Sequence, residues 1–192
     1  SGHAGATPME GRRDPMVAAG MIIQQVEQSA IEASYTTRGT IGYINAFPGG
    51  HNIIPETVNL TIDYRDIDIS SRTRAVERIK KYISQVCEKR RLEYKLEVTQ
   101  DAPPVVINEK IVKLLENTAK EYDISTLTMP SGAAHDAMIM AELCSMGMIF
   151  VRSRDGLSHC PEEFSSKEDI GLGAELLLHS IIKVANGFVD EE

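Results

Sequence analysis

Three histidines are the first candidates, because they lie in glycine-bearing loops where α/β proteins often place functional side chains: His3, His135 and His159. The last of them is in the stretch GLSHCPEEF, where an imidazole, a thiol and two carboxylates follow one another. A hydrolytic metal needs about three protein ligands, usually histidines and carboxylates. His159 and Glu162 supply only an H-x-x-E pair, so this chain alone does not assemble a convincing metal site.

Nucleophilic catalysis is a second chemistry to weigh. Cys160 could pair with His135, although a partly buried, inert thiol is the favoured interpretation. His51 and His179 are more simply interpreted as a loop residue and a helix-surface residue.

Anion recognition is a third possibility. Arg65 is on the polar face of a predicted strand, and Asn52 is in the loop that leads into that strand. A guanidinium and a side-chain amide together suit a substrate carboxylate. The competing interpretation is a surface ion pair of Arg65 with Asp63 or Asp66.

Composition excludes several classes of partner. The chain has 192 residues, a formal charge of −8 and an isoelectric point near 5.2. Nucleic acids and anionic membranes favour a basic surface, so neither is an expected partner. No apolar run approaches the ~18–20 residues of a membrane-spanning helix. Three widely spaced cysteines do not form a disulfide framework, which predicts a reducing, cytoplasmic setting.

The first hundred residues show alternating helical and strand periodicity. Asp14-Pro15 is a helix-start signal, and Ser70 or Ser71 is expected to cap the second helix. The predicted elements are a helix over 15–33, strands over 39–47 and 58–66, a helix over 72–91 and a strand over 92–100. With one strand added ahead of Ser1, this order becomes the ferredoxin-like β-α-β-β-α-β unit. We therefore expect the chain to be part of a longer protein.

After the linker DAPPVV the pattern becomes that of a layered α/β sheet. A Gly-containing turn, PSGAAHD, is predicted to run into a helix. Ser166 and Asp169 form a start signal like a capping box. The other predicted elements are helices over 109–122 and 168–187 and strands over 126–129 and 146–153.

Four stretches in this order resemble the N-carbamoyl-L-amino-acid hydrolase and allantoate amidohydrolase family of the di-metal aminoacylase/carboxypeptidase superfamily. They are HAGATPMEGRRDP, FPGGHNIIPETVNLTIDYRD, MPSGAAHDAMIMA and MIFVRSRDGLSHCPEEFSSKEDI. The resemblance implies an α/β fold in two parts. Residues 1–102 match a ferredoxin-like lid and dimerisation domain without its first strand, and residues 103–192 match the C-terminal part of the catalytic domain.

The resemblance also implies roles for individual residues. His159, in S-H-x-P-E, matches the family's last metal ligand, and the remaining ligands would lie upstream of this chain. His3 matches the lid histidine that enters the partner subunit's active site and polarises the scissile carbonyl. Asn52 and Arg65 match the pair that holds the substrate carboxylate. His135 matches the motif lining the substrate pocket, where the family usually has glycine in place of Ala134.

The implied activity is metal-assisted hydrolysis of a linear amide or ureido bond in N-carbamoyl-L-amino acids or allantoate. Two divalent metals (Zn, Mn, Co or Ni) would lower the pKa of a bridging water, and an upstream glutamate would act as general base. The expected partners are a small carboxylate substrate and a second copy bound through the lid. This chain alone is expected to be inactive and to bind no metal tightly. The alternatives are a non-catalytic dimerisation or ligand-binding module and a related aminoacylase or dipeptidase.

Overall fold

The computed structural model describes residues 1–187, a mixed α/β fold that divides into two compact units. The first contains Ser1–Pro104 together with Ser131–Ala133. The second contains Val105–Pro130 and the described residues from Ala134 onwards. The division along the main chain lies inside the DAPPVV segment.

Two helices and one pair of long strands form the body of the first unit. Its elements are β1 (Gly2–His3), α1 (Pro15–Ala33), β2 (Arg38–Phe47), β3 (Ile53–Ile54), β4 (Thr57–Arg65) and α2 (Ile69–Arg90). Asp14 caps α1, as predicted, by accepting hydrogen bonds from the backbone of Met16 and Val17. The expected cap of α2 at Ser70 or Ser71 is wrong. Asp68 is the cap, because its carboxylate accepts both of those serines' backbone N–H groups.

The hydrophobic core of the first unit lies between the helices and the β2–β4 sheet. Ile22 and Val26 of α1 pack with three residues of α2, namely Ile79, Ile83 and Cys87. The strand predicted over 58–66 is confirmed as β4, and its apolar residues alternate with polar ones and are the more buried along the strand. Ile41 of β2 packs against this core, as do Ile62 and Tyr64 of β4.

A β-bulge at Gly42 changes the faces predicted for β2. Ile41 pairs with Ile62, but Tyr43 pairs with Thr61, so Gly42 has no partner in the antiparallel ladder. Directly opposed residues share a face, and Tyr43 therefore lies with Thr61 on the polar side of the sheet. Simple alternation along the predicted strand 39–47 would put Tyr43 on the same face as Ile41, and that expectation is wrong because one extra residue reverses the alternation.

The strand predicted over 92–100 is not formed. These residues have no regular structure, and none of the described residues pairs with them. An alternating sequence becomes a strand only when a neighbour accepts and donates the ladder hydrogen bonds. The long-stranded sheet among the described residues of the first unit therefore has two strands, and the complete ferredoxin-like unit is not present in it.

The described residues of the second unit form three α-helices, α3 (Glu109–Glu121), α4 (Ala137–Met140) and α5 (Lys167–Ala185), and a 3-10 turn at Arg154–Gly156. Ser166 caps α5, as the sequence predicts, by accepting the backbone N–H of Asp169. The predicted strands 126–129 and 146–153 are absent among the described residues, since neither has a pairing partner there. The helix expected after PSGAAHD is a single turn, α4. The predicted end of the last helix at residue 187 also overshoots, because α5 ends at Ala185.

Packing in the second unit joins α3 to α5. Tyr122, just after α3, stacks on His179 of α5 with ring centroids 3.8 Å apart, so His179 is partly covered rather than a plain surface residue. Lys183 donates to Glu121 at 2.6 Å. Within residues 1–187, no helix has the length and apolar character required to cross a membrane.

Candidate functional site

Pairing of β1 with β3 brings His3 beside Asn52. His3 is opposite Ile53 in this short antiparallel ladder, and the N–H of Ala4 donates to the carbonyl of Asn52 at 2.9 Å. Both side chains are exposed. Two of the residues predicted from the sequence, His3 and Asn52, therefore lie together although they are far apart along the chain.

Hydrogen bonds within the HAGATP turn select one tautomer of His3. Its Nδ1 accepts the backbone N–H groups of Gly5 at 3.1 Å and Ala6 at 3.2 Å. A neutral imidazole has one donor and one acceptor nitrogen, so an accepting Nδ1 leaves the proton on Nε2. The exposed His3 ring consequently presents an N–H donor, which is what stabilisation of a developing oxyanion requires.

Arg12 holds this turn, and the sequence reasoning did not identify it. Its Nη2 donates to the carbonyl of Ala4 at 2.8 Å and also to the carbonyl of Thr7. A single charged side chain thus satisfies two carbonyls of the turn that carries His3. Arg12 could have been identified from the sequence, because it lies nine positions after His3 in the same motif.

Arg65 forms a forked ion pair with Asp63 on the polar face of β4. Its Nε donates to Asp63 Oδ1 at 2.9 Å, and its Nη2 donates to Oδ2 at 2.8 Å. These hydrogen bonds lower the pKa of Asp63 and raise the pKa of Arg65. The structure therefore contains the surface pair that the sequence offered as the competing interpretation, and it leaves part of the guanidinium available.

The end of β4 at Arg65 is held by a buried carboxylate, Asp66. It accepts the hydroxyls of Ser34 at 2.9 Å and Thr36 at 2.7 Å, the hydroxyl of Thr37, and the N–H of Asp68 at 3.1 Å. Burial raises the pKa of Asp66, but these hydrogen bonds outweigh it and bring the pKa to about 2. Asp66 therefore does not pair with Arg65. The hydroxyl-rich segment SYTT is the signal that could have predicted this network.

Asn52 and Arg65 lie at opposite ends of the sheet. β4 starts at Thr57, next to the loop that carries Asn52, and ends at Arg65. Eight residue steps at ~3.4 Å place those ends about 27 Å apart. One small molecule cannot contact both side chains of a single copy, so the two predicted carboxylate-binding residues are not brought together within one chain.

His159 is exposed and has an uncommon backbone conformation. Its φ is 59°, in the left-handed region that residues other than glycine seldom adopt and that is often found at functional sites. Nδ1 lies 2.7 Å from the hydroxyl of Ser158, and the backbone N–H donates to Glu163 at 2.8 Å. Engagement of Nδ1 leaves Nε2 as the nitrogen able to bind a metal.

The remaining candidate, His135, is half-buried in the second unit. Its ring centroid is 6.0 Å from that of Phe150, in a tilted arrangement. Across residues 1–187 there is no group of three or more histidine, cysteine or carboxylate side chains arranged to hold a metal ion. His159 therefore fits a metal as a single imidazole donor that needs further ligands.

Comparison with known proteins covers nearly the whole chain. The model of peptidase family M20/M25/M40 matches residues 1–183. The N-carbamoyl-L-amino-acid amidohydrolase of Pseudomonas sp. (strain NS671) is 44% identical over 184 residues, which are 95% of this chain and 44% of that protein. The ureidoglycolate hydrolase of Arabidopsis thaliana is 37% identical over 188 residues, 96% of this chain and 39% of that protein.

A solved structure agrees with these relatives. The crystal structure of AtUAH in complex with glyoxylate superposes with a TM-score of 0.89 at 35% identity, over 95% of this chain and 44% of that one. The chain spans less than half the length of these proteins. With the family model matched over 183 of 192 residues, the chain belongs to peptidase family M20/M25/M40.

Proposed function

We propose that these residues are the lid and the C-terminal part of a metal-dependent amidohydrolase that cleaves a linear amide or ureido bond in a small carboxylate substrate. In this proposal residues 1–102 form a ferredoxin-like dimerisation lid and residues 103–192 belong to the catalytic domain. The observation that carries it is His3, whose imidazole is held as an Nε2–H donor beside Asn52. Names of relatives that act on carbamoyl and ureido compounds support the substrate class.

His3 would stabilise the negative charge that develops on the carbonyl oxygen during attack by water. An N–H donor that is already oriented needs little reorganisation as the oxyanion forms, and removal of one such donor typically reduces kcat by about 10²–10³-fold. Asn52, on the adjoining strand end, would hold a polar group of the same substrate. Arg12 would keep the turn in place through its bonds to Ala4 and Thr7.

The metal-binding role falls to His159. Its Nε2 would be one ligand of a divalent metal centre, with the other ligands supplied by residues outside this chain. When bound, such metals supply Lewis-acid activation of water and of the scissile carbonyl. Ser158 would fix the orientation of the ring through Nδ1, as outer partners of ligand histidines commonly do.

Two copies would combine to complete each site. A separation of about 27 Å between the Asn52 end and the Arg65 end of β4 exceeds the length of a carbamoyl amino acid. We therefore infer that His3 and Asn52 of one copy and Arg65 of the other contact the same substrate, which requires a homodimer.

A subunit-mixing experiment with the full-length enzyme tests this arrangement. His3→Ala and Arg65→Met proteins should each be nearly inactive on N-carbamoyl-L-amino acids, ureidoglycolate and allantoate. After the two are mixed and allowed to exchange subunits, roughly a quarter of wild-type activity should return, because half of the dimers then contain one intact site. No recovery, with exchange verified by mass spectrometry, would contradict the shared site.

His51→Ala is the matched control. His51 is exposed in the same loop as Asn52 and has no hydrogen bond to the HAGATP turn among the described contacts. It should retain wild-type activity. An equal loss in His51→Ala and His3→Ala would show that the loop, rather than the His3 donor, is needed.

A further inference from the structure

We propose that Asp63 is a positioning residue that presents one chosen edge of the Arg65 guanidinium, and thereby selects a planar monocarboxylate over a dianionic group. This inference rests on the proposed role of Arg65 in holding the substrate carboxylate. It adds a residue that determines how that carboxylate is recognised.

The hydrogen-bond pattern shows which edge is occupied. A guanidinium has five N–H donors in one plane. Asp63 takes the Nε–H at 2.9 Å and one Nη2–H at 2.8 Å, which together form the side edge. The second Nη2–H and one Nη1–H form the end edge. They remain parallel and matched in spacing to two carboxylate oxygens.

The remaining Nη1 donor has a weak internal partner. Nη1 lies 3.4 Å from the carbonyl of Gly132, in the Ser131–Ala133 segment that groups with the first unit. This long contact uses one of two Nη1 protons, and a carboxylate at the end edge would at most displace it, leaving the fork to Asp63 intact. A ligand carboxylate can therefore bind in a bidentate manner without displacing Asp63.

The backbone beneath this pair is fixed. Asp63 and Arg65 are two residues apart on β4, and their side chains lie on the same face of the sheet. Arg65 pairs with Arg38 on β2, and the next residue, Asp66, accepts four hydrogen bonds. Because the main chain cannot shift, the fork to Asp63 is what decides the orientation of an otherwise flexible side chain.

Charge gives the selectivity. The charges of Arg65 and Asp63 cancel, so a bound monocarboxylate leaves one negative charge on this pair; the next positive charge is that of Arg38, opposite Arg65 on β2. A dianion such as a phosphonate would leave two and would lie near the Asp63 carboxylate, where like charges repel. Without Asp63 the guanidinium would carry an uncompensated positive charge and would rotate more freely.

The test uses the full-length enzyme and two probes, L-alanine and its phosphonate analogue, with affinities from isothermal titration calorimetry. In D63N, we expect the Kd of L-alanine to rise roughly tenfold, as one charge-assisted hydrogen bond is worth about that factor. The ratio of phosphonate to L-alanine affinity should shift towards the phosphonate. With N-carbamoyl-L-alanine, KM should rise by a similar factor while kcat stays within about twofold.

E97Q is the matched control, because Lys95 and Glu97 are also an exposed ion pair two residues apart. It should behave as wild type. D63E keeps the charge on a longer side chain and should recover part of the L-alanine affinity, which a purely structural role of Asp63 would not predict. It also replaces D63N if that variant fails to fold.

The outcomes separate the two proposals. An L-alanine Kd in D63N within twofold of wild type, or an unchanged preference between the probes, would overturn the positioning role. So would a wild-type protein that binds neither probe. If wild type binds L-alanine with the expected dependence on Asp63 but hydrolyses no carbamoyl substrate, the positioning role stands and the proposed function fails.

Discussion

Asp66 should make the stability of the first unit depend on pH in a defined range. Its side chain is 9% exposed, and it accepts three hydroxyls and one backbone N–H. These bonds bring its pKa from an ordinary value of 3.8 to about 2. A lower pKa in the folded state means that folding stabilises the ionised carboxylate. Charged Asp66 therefore contributes about 2 kcal/mol to the free energy of unfolding near neutral pH.

The contribution should be complete above the unfolded-state pKa and should disappear as the pH falls through the folded-state pKa. Asp66→Asn should therefore reduce the free energy of unfolding by about 2 kcal/mol near pH 7, and the difference from wild type should shrink between about pH 4 and pH 2. Urea unfolding of the 192-residue chain measures this difference. Hydrogen exchange of the β4 amides is used to monitor the unfolding of the first unit.

Asp101→Asn is the control for loss of a carboxylate. Asp101 pairs with Arg72 but its side chain is 72% exposed, so its removal should cost less than about 1 kcal/mol. The reasoning would be refuted if the difference in free energy of unfolding between wild type and Asp66→Asn stayed constant from neutral pH to about pH 2. Once its Asp66 is protonated, the wild-type protein should be about as stable as the variant.

Two further changes test other parts of the structure. Gly39→Ala should lower the free energy of unfolding by about 2 kcal/mol or more, because an added Cβ would lie 2.9 Å from the Tyr64 ring, 3.0 Å from Ala30 and 3.1 Å from the Val26 carbonyl. Gly20→Ala, in open space on α1, is its control in urea unfolding and should be neutral or stabilising. In the full-length enzyme, His159→Ala should reduce the metal bound per subunit, measured by plasma mass spectrometry. Metal content equal to wild type would contradict its role as a ligand.

Local signals in the sequence were sufficient to predict the long helices and the paired strands β2 and β4. Helix starts at Asp14 and Ser166 follow from side chains that accept nearby N–H groups, and the alternation in β4 follows from one buried face. The N-cap of α2 was missed because Asp68 and two serines compete within one short segment. Four sequence motifs in a fixed order identified the family, and the comparisons with known proteins confirm it.

Strand pairing and side-chain networks that join residues distant in the chain could not be predicted from the order of apolar and polar residues. Strand pairing decides that 92–100 and 146–153 remain without regular structure, and a single unpaired Gly42 reverses the face of Tyr43. Asp66 gathers hydroxyls about thirty positions away, and β1 meets β3 across fifty.

The amino-acid sequence by itself determined the candidate residues and the helix starts, because residue type and short-range spacing define donors, acceptors and caps. Only the tertiary structure decided that His3 lies with Asn52, while Arg65 lies with Asp63 at the other end of β4. The physical reason is that hydrogen-bonded strand pairing sets these distances, and pairing joins groups that the linear pattern keeps apart.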